Sequence, residues 1–126
     1  MGQLKLSVLS PRFAVCRLET GAEVPASLYK MSFFSITRTD EELSIVLPEA
    51  DAPQEWVQES GWRCFKVQGP LDFGLTGILA AIAAPLADAR ISIFAFSTYD
   101  TDYVMVKETH LEQAKHALTE NGFEVI

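Results

Sequence analysis

Positive charge is scarce in this sequence: ten Lys and Arg stand against seventeen Asp and Glu in 126 residues, a formal charge of −7 spread over both halves. An acidic surface repels phosphate backbones and anionic lipid, which argues against nucleic acid or a membrane as the main partner. Histidine and cysteine are equally sparse, two of each. Cys16 and Cys64 each sit alone inside an apolar run, without a CxxC pair or a neighbouring histidine, and so read as buried thiols with no zinc or redox motif around them. His110 and His116 fall on a polar C-terminal segment as a cap neighbour and a surface residue, not as general bases. No GxSxG elbow, Walker loop or HExxH is present. Phe73 to Ala87, the longest weakly polar stretch, is interrupted by Thr76 and Pro85 and falls short of the ~20 residues that cross a bilayer. The opening Met1–Leu6 alternates polar and apolar, unlike a secretion signal. The expectation is a cytoplasmic protein with no transmembrane segment, no metal and no cofactor.

What is present is a folded composition, 48% hydrophobic and 21% charged. The second half reads more easily. Trp62 to Val67 alternates as a strand stopped by Gly69-Pro70, and Leu75, Ile78, Leu79, Ile82 and Leu86 then recur at helical spacing among alanines. Pro85 either kinks this helix, 73–89, or opens a second short turn. Ile91–Phe96 and Asp102–Lys107 flank a polar connection short enough to require an antiparallel hairpin. Thr109 and Glu112 have the spacing of a capping box, Asn121-Gly122 of a left-handed stop, and Phe123–Ile126 closes as a strand. The order β-α-β-β-α-β is the α+β, ferredoxin-like plan: a four-stranded antiparallel sheet with two helices on one face.

The first half repeats the plan in degenerate form. Strands are expected at Leu4–Leu9, Phe13–Leu18, Phe33–Thr37 and Leu43–Leu47, a weak helix at Pro25–Tyr29, and a helical turn from Asp51 through Trp56 and Val57. This divides the chain into 1–60 and 61–126. Units of about 60 residues bury little surface alone, so the two should share a core or exchange strands.

Two loops carry candidate chemistry. Gly69 to Gly77 joins a strand to a helix through three glycines, and the first N–H groups of that helix suit a carboxylate. The alternative reading makes Asp72 an N-cap and Gly77 a close helix contact. The hairpin Ser97 to Tyr103 offers hydroxyls and carboxylates without positive charge, a seat for an ammonium group. Together they describe a free amino acid. Within one ferredoxin-like unit the loops would not normally meet, so a site between modules or subunits is expected.

The run from Gly69 to Lys107 resembles the second module of small tandem ACT-domain proteins, a group that includes the cytosolic arginine sensors and is similar to aspartokinase regulatory domains. The segments that carry the resemblance are Leu71-Asp72-Phe73, Gly77-Ile78-Leu79 and Ser97–Tyr103, with Phe33–Thr39 and Glu42–Val46 in the first half. It implies a degenerate ACT-like unit at 1–60, an ACT domain at 61–126, and amino-acid binding between modules without catalysis. By motif, Leu71, Asp72, Phe73, Gly74, Thr98, Tyr99, Thr101 and Asp102 would face the ligand, with Asp102 on the ammonium. Two modules stand here where the eukaryotic sensors carry four, so arginine as ligand and the sensors' signalling role do not transfer.

The leading expectation is therefore a regulatory homodimer that senses a free amino acid and acts through an unidentified effector protein. A protein-interaction or structural subunit without a ligand is the alternative. An acylphosphatase-like hydrolase on the same plan would need a cationic side chain in its first loop, and residues 69–77 contain no Arg or Lys. An RNA-binding sheet would use Phe94 and Phe96 as a stacking platform, against the acidic balance; if helices cover that face, the two are core.

Overall fold

The structure, a computed structural model, describes residues 4–69 and 76–126. Its strands are β1 (Lys5–Val8), β2 (Phe13–Leu18), β3 (Ser35–Arg38), β4 (Leu43–Pro48), β5 (Val57–Val67), β6 (Ile93–Ser97), β7 (Asp102–Lys107) and β8 (Glu124–Val125). Helix α1 (Ile78–Asp88) lies between β5 and β6, and α2 (Leu111–Glu120) between β7 and β8. The chain divides into two compact units, Pro11–Gly61 and a second formed by Met1–Ser10 with Trp62–Ile126.

The second unit is an α+β layer pair with a mixed sheet. Its strands pair in the order β6-β7-β5-β1-β8, antiparallel except for β1 with β8, which run parallel. The expected four-stranded antiparallel sheet is thus corrected: β1 enters as a fifth strand, with Leu6 opposite Val67 on one side and Val125 on the other. Grouping residues 1–60 together is corrected for the same reason. The partners that satisfy the backbone of β1 lie in β5 and β8.

Alternation sorts this sheet into two faces. Phe65, Val67, Val104 and Val106 pack against Ile82 and Leu86 of α1 and Ala114 and Leu118 of α2. Leu111, Ala114 and Leu118 recur at helical spacing along α2 and are its buried residues. Each of the larger side chains, removed from water, contributes about 1.5–3 kcal/mol. The opposite face carries Trp62, Phe94, Phe96 and Tyr103, because Phe94 pairs with Met105 and Phe96 with Tyr103. Their rings run as a row, Trp62–Phe94 at 6.2 Å, Phe94–Phe96 at 6.2 Å and Phe96 stacked on Tyr103 at 5.2 Å. The condition for helix-covered core is therefore not met by Phe94 and Phe96.

Three local expectations change. Helix α1 starts at Ile78, and Gly77 precedes it at φ +79°, a left-handed conformation that glycine adopts without penalty. A Cβ on Gly77 would meet nothing within 4 Å, so its role, as the N-cap of α1, is conformational and not a close contact; Asp72 lies outside the described residues. The helix also runs unbroken through buried Pro85. The Thr109–Glu112 capping box does not form: Thr109 lies in a 3-10 turn, Glu108–His110, and α2 begins at Leu111 after His110, which caps it without a side-chain bond. The left-handed stop is present, with Gly122 at φ +92°.

In the unit Pro11–Gly61, β4 pairs antiparallel with both β2 and β3. Ala14, Cys16, Leu43, Ile45 and Leu47 form its core with Leu28 from a 3-10 turn, Ala26–Lys30. A second 3-10 turn covers Glu49–Asp51, and Val57 opens β5 in place of the expected helical turn. Among the described residues this unit has no α-helix, so a second βαββαβ repeat is not completed. Among the described residues no helix is long and apolar enough to cross a membrane.

Candidate functional site

The candidate site is the β6–β7 hairpin and the end of β5 beside it. Ser97 and Asp102 are the last paired residues, leaving Thr98–Thr101 as a four-residue connection. Thr98 N–H donates to Thr101 O at 2.8 Å, and Thr101 N–H donates to Thr98 Oγ1 at 3.3 Å. The Thr98 side chain thus replaces a backbone acceptor, the local turn chemistry for which Thr is suited. The Thr101 hydroxyl points inward, 5% exposed, and donates to Val67 O at 2.6 Å. That bond brings the hairpin to the residue with which β5 ends, two positions before Gly69. The rest of the strand-to-helix loop, from Pro70 to Leu75, lies outside the described residues.

Asp102 is half-buried on the helix-side face, in line with Val104 and Val106, and its Oδ1 accepts from the Ser97 hydroxyl. No cation pairs with Asp102 among the described residues, and Lys66 lies opposite Tyr103 on the other face. The carboxylate therefore retains acceptor capacity on Oδ2. Tyr99 is 80% exposed at the hairpin tip. Burial pushes the Tyr103 phenol above its ordinary range, with smaller contributions from Cys64 and Asp100.

Of the eight residues expected at a ligand, Thr98, Tyr99, Thr101 and Asp102 are brought together in this hairpin. Leu71, Asp72, Phe73 and Gly74 lie outside the described residues. Sequence reasoning missed Ser97, whose hydroxyl holds Asp102; counting a four-residue connection back from Asp102 would have found it as the cross-strand partner. Among the described residues no group of three or more His, Cys, Asp or Glu side chains forms a metal site. Burial raises the Cys16 thiol to about 11 and the Cys64 thiol to about 12, so both stay protonated near neutrality and are poor nucleophiles.

Comparison with known proteins adds the wider context. The family model of the ACT domain matches residues 57–120, and a model of an N-terminal domain matches residues 11–55. The cytosolic arginine sensor for mTORC1 subunit 1 of Bos taurus is 32% identical over 100 residues, 71% of this chain and 30% of the sensor. The chain thus spans about 30% of the length of that curated relative. A crystal structure of an Agrobacterium tumefaciens protein superposes with a TM-score of 0.92 at 37% identity, covering 100% of this chain and 94% of the other. The regulatory subunit of aspartate kinase from Thermus thermophilus shares the fold, with a TM-score of 0.64 at 11% identity over 94% of this chain and 97% of that one. Five strands and two helices in the observed order, with a sequence match running from β5 to the end of α2, place the chain in the ACT-domain family.

Proposed function

We propose that this chain is a non-catalytic regulatory protein that binds a free amino acid and alters a protein interface when occupied. The observation that carries the reading is Asp102: a half-buried carboxylate, oriented by Ser97 and facing no cation, in the hairpin fastened to the end of β5. Asp102 takes the ligand ammonium. By motif, Leu71, Asp72, Phe73 and Gly74 also contact the ligand; Thr98 and Tyr99 border it, and Thr101 holds the hairpin to β5. Membership of the ACT family supports a regulatory role, as does the naming of its relatives as sensors and regulatory subunits.

The protein works as a cytoplasmic homodimer. The outer face of α1 supports this: Leu79 is 38% exposed, and Ala80, Ala84 and Ala87 beside it are exposed and uncharged, a surface suited to a second copy. Output passes to an effector protein through the difference in ligand affinity between two states of the dimer.

The test is a thermal-shift screen against the twenty amino acids. A ligand at a hundredfold excess over its Kd stabilises the folded state by about 2.7 kcal/mol. One or more amino acids should raise the melting temperature, and for at least one of them Asp102→Ala should abolish the rise while leaving the apo protein folded. No rise with any amino acid at millimolar concentration would refute the sensor reading. Unchanged affinity in folded Asp102→Ala would remove Asp102 from the site.

A further inference from the structure

The unit Pro11–Gly61 holds a cleft of about 570 Å³ that the hairpin site does not use. Its volume lies within the roughly 300–1,000 Å³ of small-molecule sites. Arg38, Glu23, Tyr29 and the turn Thr20-Gly21-Ala22 line it. Arg38 Nε donates to Thr20 O at 2.7 Å and its Nη2 donates to Ala22 O, so the guanidinium is fixed in place by its Nε/Nη2 edge. Thr20 Oγ1 donates in turn to Thr39 O, locking the turn to the β3–β4 hairpin. Both carbonyls lie on one edge of the fork. The Nη1/Nη2 edge has no partner among the described residues and is pre-organised for a carboxylate.

The other groups supply complementary chemistry. Glu23 is exposed and makes no ion pair among the described residues, which fits it to an ammonium. Tyr29 is 61% exposed, an unusual position for a large aromatic, yet it is braced edge-on against Phe34 at 5.7 Å and 89°. A braced ring left open to solvent is a stacking surface. Guanidinium, carboxylate and ring together match a molecule bearing a carboxylate, an ammonium and an aromatic group.

We propose that this cleft is a second ligand site, specific for a free aromatic α-amino acid, whose carboxylate meets Arg38, ammonium meets Glu23 and ring stacks on Tyr29. This site is independent of the hairpin reading and stands or falls separately from it.

Titrating the full ¹⁵N-labelled chain with L-phenylalanine, 3-phenylpropanoate and 2-phenylethylamine tests it. Phenylalanine should give saturable amide shifts at Thr20, Gly21, Ala22, Glu23, Tyr29 and Arg38. The two half-molecules, lacking the ammonium or the carboxylate, should each bind at least about tenfold more weakly. Gly21 lines the cleft, a Cβ there meets nothing within 4 Å and its φ is not positive, so Gly21→Leu adds bulk at the cleft without disturbing the turn. It should weaken phenylalanine at least about tenfold at unchanged melting temperature. Glu23→Gln, at an exposed position, should weaken phenylalanine toward the level of 3-phenylpropanoate and keeps the test open if Gly21→Leu misfolds. Asp102→Ala should leave the titration unaltered, so a lost hairpin site and a lost cleft site give different spectra. No saturable shift at these residues at roughly 20 mM phenylalanine, or full affinity in folded Gly21→Leu, overturns the proposal.

Discussion

Replacing Thr101 by Val removes one hydroxyl and preserves the side-chain shape, so it isolates a single hydrogen bond. Leu9 N–H donates to Cys64 O and Gln68 N–H donates to Lys5 O, both at 2.9 Å, so the even-numbered residues of β5 bond to β1. Val67 therefore faces β7. The β5–β7 register ends at Lys66 opposite Tyr103, and the carbonyl of Val67 is taken up by the Thr101 hydroxyl at 2.6 Å. A side chain thus extends the ladder by one step. At 5% exposure Thr101 is screened from water. Its removal leaves a buried acceptor unsatisfied, at a cost of about 1–3 kcal/mol.

Urea unfolding followed by circular dichroism reads this directly: the midpoint should fall at constant slope, since the surface exposed on unfolding does not change. Thr101→Ser keeps the donor and should recover most of the loss. Thr98→Val, at an exposed residue whose two bonds are both 3.3 Å long, should lose less than about 1 kcal/mol. A Thr101→Val loss below about 0.5 kcal/mol, or one no larger than that of Thr98→Val, would refute the ladder-extension argument.

Alkaline stability should follow the two thiols. Their ordinary value of 9.0 rises to about 11 for Cys16 and about 12 for Cys64 on burial, so the folded state holds its protons more tightly than the unfolded one. The stabilisation is complete below about 9 and is lost as pH climbs through 11 to 12; Cys64→Ala should flatten the decline of melting temperature above pH 9, and an unchanged slope would contradict it. Gly77→Ala should destabilise by about 1–2 kcal/mol in the same urea assay, because φ is +79° there although a Cβ meets nothing within 4 Å. Gly21→Ala, equally open but without a positive φ, should be neutral or gain up to about 1 kcal/mol, and equal losses at both would show that space and not backbone conformation decides.

The elements of the second half were legible because each rests on contacts local in sequence. The antiparallel hairpin follows from a connection too short for anything else, and the end of α2 follows from Asn121-Gly122, where only glycine tolerates φ +92°. The place of β1 was not legible. Leu4–Leu9 alternates like any half-buried strand, and nothing local says that its partners are β5 and β8, more than fifty residues away, instead of its neighbour β2. The same limit explains Phe94 and Phe96. Their spacing put them on one face, but which face the helices cover depends on Val104 and Val106 across the ladder. The start of α2 was misjudged: the Thr109–Glu112 spacing placed it at Thr109, whereas a 3-10 turn takes Glu108–His110 and the helix begins at Leu111.

The site was legible in composition and not in division of labour. Hydroxyls and carboxylates in Ser97–Tyr103 look interchangeable in the sequence, yet the fold gives them opposite assignments. Thr101 turns inward to Val67, Thr98 closes the turn, and Ser97, across the strand pair, orients Asp102. Only Asp102 combines partial burial with an acceptor left open, and it is there that the proposed ammonium contact falls. That distribution could not be read from spacing, because it depends on where β5 ends relative to β7, a register fixed by long-range pairing. If Asp102 takes the ligand ammonium as proposed, changing Ser97 or Thr101 should lower affinity through the orientation of that carboxylate, whereas changing Asp102 should remove the contact itself.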